Sequence, residues 1–291
     1  MYPVTRLFLP RSLGEALELL EKARPWPLAG GTDVFVKMRR NKLQDVSLMS
    51  LEKIPDMAGI RELPNGDIAI GAMATFTAIA ESGLIQRRVP MLKTAALSMG
   101  GPQIQNMATI GGNVCNGATS ADSAPSLLAL NALLELQCAG GERLVPIREF
   151  YLGPGKVIRR EEELMTRIIL PAGGRDQWAG VYIKMSTRKA MDISTLGVAV
   201  VCETKSGGAI QEAAIALGTA GPVPIRCGEA ETLLQGRIPE GDLFLKAGIA
   251  ARQAANPRTS WRAGREFRQA LIEGLVERAL KQAYAMAGET G

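Results

Sequence analysis

MGGPQIQNMATIGGNVCNGATSADSAPSLLAL, residues 99–130, decides the reading of this chain. Two glycine pairs, Gly100-Gly101 and Gly111-Gly112, bracket Pro102 to Ile110. Asn113, Asn116, Thr119, Ser120 and Asp122 then supply short polar side chains. Glycine lets a backbone approach a ligand closely and adopt positive φ without a Cβ clash. The stretch reads as a loop that wraps a polar, phosphate-bearing molecule, with Asp122 or Ser123 and Pro125 starting the apolar helix beyond it. A shorter version stands upstream, Leu28-Ala29-Gly30-Gly31-Thr32-Asp33-Val34. Consecutive backbone amides in such turns form anion-binding nests, and two nests suit the two halves of a diphosphate.

Around the upstream loop the pattern is that of a βα unit. Ser12-Leu13-Gly14-Glu15 reads as a capping box, and Leu13, Ala16, Leu17, Leu20 and Ala23 recur at helical spacing until Pro25. Trp26 to Ala29 is a short buried strand candidate, Val34 to Arg40 a helix and Val46 to Leu51 a strand. Asn65-Gly66 marks a hairpin between 59–63 and 68–73. Thr75 or Thr77 caps the next helix, 90–99 suits another, and 133–138 pairs with 143–146 across Gly140-Gly141. The run AGGRDQ from residue 172 is a candidate boundary. Beyond it, 181–185, 196–203 and 209–217 predict a strand meander turning at Gly207-Gly208. Helices are expected at 229–234, 243–255 and 264–287, the last burying Phe267, Leu271, Leu275, Ala279 and Leu280.

Composition narrows the chemistry. The 291 residues carry 46% hydrophobic and 22% charged side chains, as ordinary globular domains do. A net charge of +5, scattered, with 4% aromatics argues against a nucleic-acid surface built on stacking. Arg39-Arg40 and Arg159-Arg160, its densest spots, read as solvated faces. No apolar run approaches bilayer length and no signal-peptide core opens the chain. Cys115, Cys138, Cys202 and Cys227 stand far apart without a CxxC, so no cluster, zinc or other metal site is expected and reduced, cytoplasmic thiols are. Histidine is absent, which removes Ser-His-Asp and Cys-His catalysis, HExxH metal chemistry and a histidyl link to flavin. GxGxxG, GxxxxGK[ST] and GxSxG are absent too. Any chemistry therefore falls to a cofactor, with no catalytic side chain.

LAGGTDV at 28–34 and ATIGGNVCNGATSADSAPSLLAL at 108–130 resemble the two FAD loops of the molybdenum hydroxylase flavoproteins. The similarity extends through IGAMATFT at 70–77, GPQIQN at 101–106, GPGK at 153–156 and EEELMTRIILP at 161–171. Within that family, YIKMSTRKAMDIST at 182–195 and SWRAGREFR at 260–268 resemble bacterial xanthine dehydrogenase FAD subunits. The resemblance implies an α+β fold: a two-lobed FAD-binding domain, lobes 1–55 and 56–175, and a smaller C-terminal domain, 176–291, of antiparallel sheet with helices.

It also implies a site. Backbone amides of Ala29, Gly30, Gly31, Thr32, Asp33 and Val34 would cradle the pyrophosphate. Ala108, Thr109, Gly112 and Asn113 would meet pyrophosphate and flavin, Asp122 would meet cofactor hydroxyls, and the Met165 backbone would lie beside the flavin. Lys184 matches a lysine that interacts with FAD, and Asp192 lies on a segment near the flavin and its nicotinamide partner. Met99 stands where some relatives stack an aromatic ring. The implied function is a non-covalent FAD subunit of a hetero-oligomer. Electrons would arrive from partner subunits holding molybdopterin and [2Fe-2S] clusters and leave to NAD. A sister hydroxylase acting on CO, an aldehyde or an N-heterocycle, and a non-catalytic nucleotide-binding protein of the same fold, are the alternatives.

Overall fold

The computed structural model describes residues 4–171 and 178–289. The candidate boundary AGGRDQ, 172–177, lies outside them. The chain opens with a three-stranded parallel sheet in the order Val4–Phe8, Val46–Ser50, Trp26–Leu28. Helix Leu13–Ala23 is the crossover. Ser12 caps it, its Oγ accepting from the Glu15 amide at 3.2 Å. Glu15 reaches back to the Arg11 amide, one residue before the cap, at 2.7 Å. Arg24 in the left-handed region ends the helix before Pro25. Ala16, Leu17 and Leu20 are buried, each leucine worth about 1.5–3 kcal/mol relative to exposure. Strand Val4–Phe8 was not anticipated, because its burial is mostly exposed and its sequence does not alternate. Trp26, expected inside, is 40% exposed.

The second lobe is built on a five-stranded antiparallel sheet, ordered Ile60–Glu62, Ile68–Gly71, Leu164–Leu170, Leu133–Cys138, Gly141–Pro146. Both hairpins expected at Asn65-Gly66 and Gly140-Gly141 are present. Thr75, and not Thr77, caps helix Phe76–Glu81, accepting from the Ala78 amide. The Thr77 hydroxyl donates to Asn106 Oδ1 at 2.6 Å. The stretch expected as one long loop is more regular: it contains helices Pro102–Met107 and Ile110–Cys115 before helix Ser123–Ala129.

Beyond residue 178 four antiparallel strands, Trp178–Met185, Leu196–Thr204, Ile210–Gly218 and Ile225–Arg226, form a meander. Leu196–Thr204 is buried almost throughout, as a strand covered on both faces must be. Val198, Val200 and Cys202 pack on helices Gly228–Leu234, Leu243–Ala254 and Arg265–Glu289. Ala199 and Val201 pack on the first core. The final helix buries Ala279 and Leu280 as expected, but its first half lies one residue out of the expected phase. Ile272, Val276, Ala279, Leu280, Ala283 and Ala287 are buried, Leu271 and Leu275 are half-buried, and Phe267 is 53% exposed. Arg268 takes the inward place. Apolar residues at both 271/275 and 272/276 satisfy helical spacing, so periodicity alone could not choose.

Candidate functional site

A cleft of about 330 Å³ lies between the two N-terminal lobes. Strand Trp26–Leu28 runs straight into Ala29–Asp33, and helix Val34–Arg39 follows. The amides of Gly30, Gly31, Thr32, Asp33 and Val34 donate to no described residue, while the Phe35 amide already returns to Gly31 O. Five successive open donors make a nest. Gly31 sits at φ +73, where an L side chain is strained, and a Cβ there would stand 2.6 Å from the Phe35 ring. A Cβ on Gly30 would fall 1.6 Å from Met107 O, so the first loop rests on the backbone of the second.

The second loop is built differently. Its amides have partners within the chain: Ile110 N donates to Ala74 O, Gly111 N to Ala72 O, Gly112 N to Thr109 Oγ1, and Asn113 N to Thr109 O. Gly111 and Gly112 have ordinary helical φ, so the expectation of positive φ there is corrected. Of the five glycines in residues 99–130, Gly100 at +49 and Gly117 at +64 take it, and neither belongs to the second pair. A Cβ on Gly111 would stand 2.5–2.9 Å from Ala72, and one on Gly112 2.9 Å from Thr109 Oγ1. These glycines serve close packing.

A third wall comes from Leu164 and Met165, which border the cleft where the register of the central strand shifts between Met165 and Arg167. Met57, Met73, Met99 and Ile104 complete an apolar lining. Lys37 and Arg159 bring positive charge against the single carboxylate of Asp33. Two carbonyl oxygens, Arg160 O and Glu163 O, each accept from Arg159 Nη1 at 2.7 Å and fix that guanidinium. Cys115 also lines the cleft, with its thiol pushed up to about 11 by burial, against the pull of Arg159. It is therefore a packing residue and not a thiolate.

The anticipated site residues line this cleft except for Asp192 and for the pair Asp122 and Lys184. Those two meet each other instead. Lys184 Nζ lies 2.8 Å from Asp122 Oδ2 and donates also to Ser98 O at 2.8 Å and Asp192 O at 2.9 Å. All three ammonium protons are thereby engaged. Asp122 Oδ1 accepts from Ser194 at 2.5 Å and from the Tyr182 hydroxyl at 3.1 Å. Burial, and then the Asp122 charge, hold that phenol well above its usual range, so it stays a donor. Asp122 occupies the cap position of helix Ser123–Ala129 but makes no cap hydrogen bond, because its carboxylate is committed across to the C-terminal sheet. The cluster still touches the cleft through the residue after Asp122, Ser123, which donates to Asn113 Oδ1 at 2.7 Å.

A model of the FAD binding domain in molybdopterin dehydrogenase matches residues 3–173. That of the CO dehydrogenase flavoprotein C-terminal domain matches 181–283. The chain belongs to the FAD-binding subunits of the molybdenum hydroxylases. It is 37% identical over 278 residues to the xanthine dehydrogenase FAD-binding subunit of Escherichia coli O157:H7, covering 95% of each chain. To the carbon monoxide dehydrogenase medium chain of Hydrogenophaga pseudoflava it is 32% identical over 279 residues, covering 95% of this chain and 96% of that one. The solved carbon monoxide dehydrogenase of the same organism superposes with a TM-score of 0.93 at 31% identity, covering 98% of this chain and 99% of that one.

The cleft suits the cofactor of a molybdenum hydroxylase FAD-binding subunit. Open amides and two cations answer a pyrophosphate, and the apolar wall answers a flat ring system. Lys37 and Arg159 were not singled out for the site from sequence. Lys37 could have been, because it falls one helical turn after Asp33. Arg159 could not, since its dipeptide looked like any solvated basic pair. Among the described residues no helix is long and apolar enough to cross a membrane and no cluster of metal ligands occurs.

Proposed function

We propose that this chain is the FAD-binding electron-transfer subunit of a xanthine dehydrogenase-type hydroxylase. The similarity to the E. coli subunit over 95% of both chains carries this reading. In it, partner subunits hold the molybdenum cofactor and [2Fe-2S] clusters, NAD is the final acceptor, and the assembly is cytoplasmic. The four free cysteines suit that compartment. The working division is 1–55 and 56–175 for the two lobes and 176–291 for the C-terminal domain.

FAD, when bound, supplies the chemistry that takes electrons singly and gives them up as hydride. The chain's own part is binding and exclusion. Amides of Gly30 to Val34 bind the pyrophosphate, with Ala29 entering the turn, and Lys37 and Arg159 offset its charge. Ala108, Thr109, Gly112 and Asn113 form the opposite wall. Met99, Ile104, Leu164 and Met165 exclude water from the ring side. Asp122 and Lys184 hold the two domains in register beside that wall. No side-chain acid or base is needed, the absence of histidine removes a histidyl link, and the flavin is held non-covalently in this reading.

The experiment is to purify the chain alone and with its partners. Acid precipitation should release FAD into the supernatant. The lone chain should reduce dyes with NADH and should not oxidise xanthine until the molybdenum and iron–sulfur subunits are added. Xanthine-dependent NADH formation by the lone chain, or colour retained in the acid pellet, would overturn the reading.

A further inference from the structure

The segment SWRAGREFR, 260–268, plays no part in the cleft. It leads into helix Arg265–Glu289. Trp261 is 85% exposed and Phe267 53% exposed, in a chain with only 4% aromatic residues. The Arg262 guanidinium lies 4.1 Å from the centre of the Trp261 ring. Arg258, Arg262 and Arg268 crowd one corner. Burial first, then the charges of Arg258 and Arg262, draw the Arg268 guanidinium below its usual range. Arg268 is buried and donates to Thr195 O at 2.5 Å and Ser260 Oγ at 2.9 Å, yet its Nε has no acceptor; neither has the buried Nε of Arg262.

Several arginines of this domain are paired, Arg188 with Asp192, Arg226 with Glu231 and Arg252 with Glu273. Here, among the described residues, Arg258, Arg262, Arg265 and Arg268 have no carboxylate partner. The adjoining cavity, about 400 Å³, is lined by Thr119, Asn256, Arg258, Thr259 and Arg265 and by no acid. Buried guanidinium without a counter-charge is costly. Exposed Trp beside Arg is the composition of binding hot spots, and the Arg fork matches carboxylates. Nucleic acid asks instead for a long phosphate-tracking stripe, which four arginines in one corner do not provide.

We propose that the corner from Arg258 to Arg268 docks an acidic segment of a partner subunit. Its carboxylates meet Arg258, Arg262 and Arg265, and its apolar side chains cover Trp261 and Phe267. The proposal rests on the reading of this chain as one subunit of an assembly.

The test uses the full chain co-expressed with its molybdenum and iron–sulfur subunits. Trp261→Ala and the pair Arg258→Glu with Arg262→Glu are compared with native chain by sedimentation at low and high salt. FAD per chain and the thermal midpoint of each variant report folding independently. Expected are unchanged FAD and midpoint, assembly weakened by about tenfold or more, and a flatter salt dependence in the charge-reversed pair. Trp261→Phe should keep most of the affinity. Native and variant chains assembling equally well would overturn the docking proposal and leave the proposed function standing. Equal assembly with inorganic phosphate bound by the native chain alone would reassign the corner to a small anion. A native chain that joins no assembly would remove the proposed function and the docking proposal with it.

Discussion

Gly30-Gly31 and Gly111-Gly112 are the same dipeptide on opposite walls of one cleft, and they do opposite work. The first leaves five amides open and needs positive φ at Gly31. The second has the amides around it bonded to Ala72, Ala74 and Thr109; Gly111 lets a short helix press against Ala72, and Gly112 makes room for the Thr109 hydroxyl. One pair makes a binding surface; the other makes the floor on which that surface rests. A glycine pair therefore identifies a close approach, and only the accounting of its amides shows whether ligand or protein does the approaching.

The largest test of this difference is Gly30→Ala. Its methyl would overlap Met107 O at 1.6 Å, backbone against backbone, so a loss above about 4 kcal/mol is expected. Urea unfolding measures it. Gly111→Ala should destabilise as well, by overlapping Ala72, while the folded fraction keeps its FAD affinity. A native midpoint for Gly30→Ala would mean that the loops do not touch.

Next in size is Lys184→Met. It strands Asp122 in the interior, and removing one partner of a buried pair costs about 3–5 kcal/mol. Tyr182 and Ser194 still donate to that carboxylate, which places the expectation at the lower end. The second wall, joined to this cluster through Ser123 and Asn113, should loosen, and the first should not. Hydrogen exchange of residues 110–116 against 30–36 separates the two. Equal protection changes in both would dissolve the distinction.

Gly31→Ala comes third. Left-handed φ costs an alanine about 1–2 kcal/mol, and its methyl meets the Phe35 side chain, which can move aside. Stability should fall modestly and FAD affinity more steeply, read by fluorescence titration. Smallest is Thr109→Val, which removes the cap on the Gly112 amide for about 1 kcal/mol and frees one donor in the cleft. Affinity lost there as heavily as in Gly31→Ala would give the second loop the role assigned here to the first.

Much of this was legible from residues alone. LAGGTDV and TIGGN announced two glycine-bearing walls, and Asn65-Gly66 fixed a hairpin, because turn chemistry is local. What escaped was decided at a distance. Asp122 has the spacing of a helix cap, yet its carboxylate answers Lys184, Tyr182 and Ser194, which no local pattern reports. The final helix offered two apolar stripes one residue apart, and the sheet it packs on made the choice. Val4–Phe8 became a strand through its parallel partner Val46–Ser50, with little burial of its own. That Gly111 is a brace was invisible, since its partner Ala72 lies in another element.

The close approach of Gly30 to the Met107 backbone also sets a timetable. During synthesis the first loop leaves the ribosome long before Met107 and Ala108 exist, so the nest has no backing until distant chain arrives. Non-local closure of this kind is a slow part of folding. FAD then stabilises only those molecules that have already joined the two walls, in proportion to its concentration over its dissociation constant. The dinucleotide acts as a ratchet on a finished fold, and yellow colour becomes a measure of how many chains have completed it.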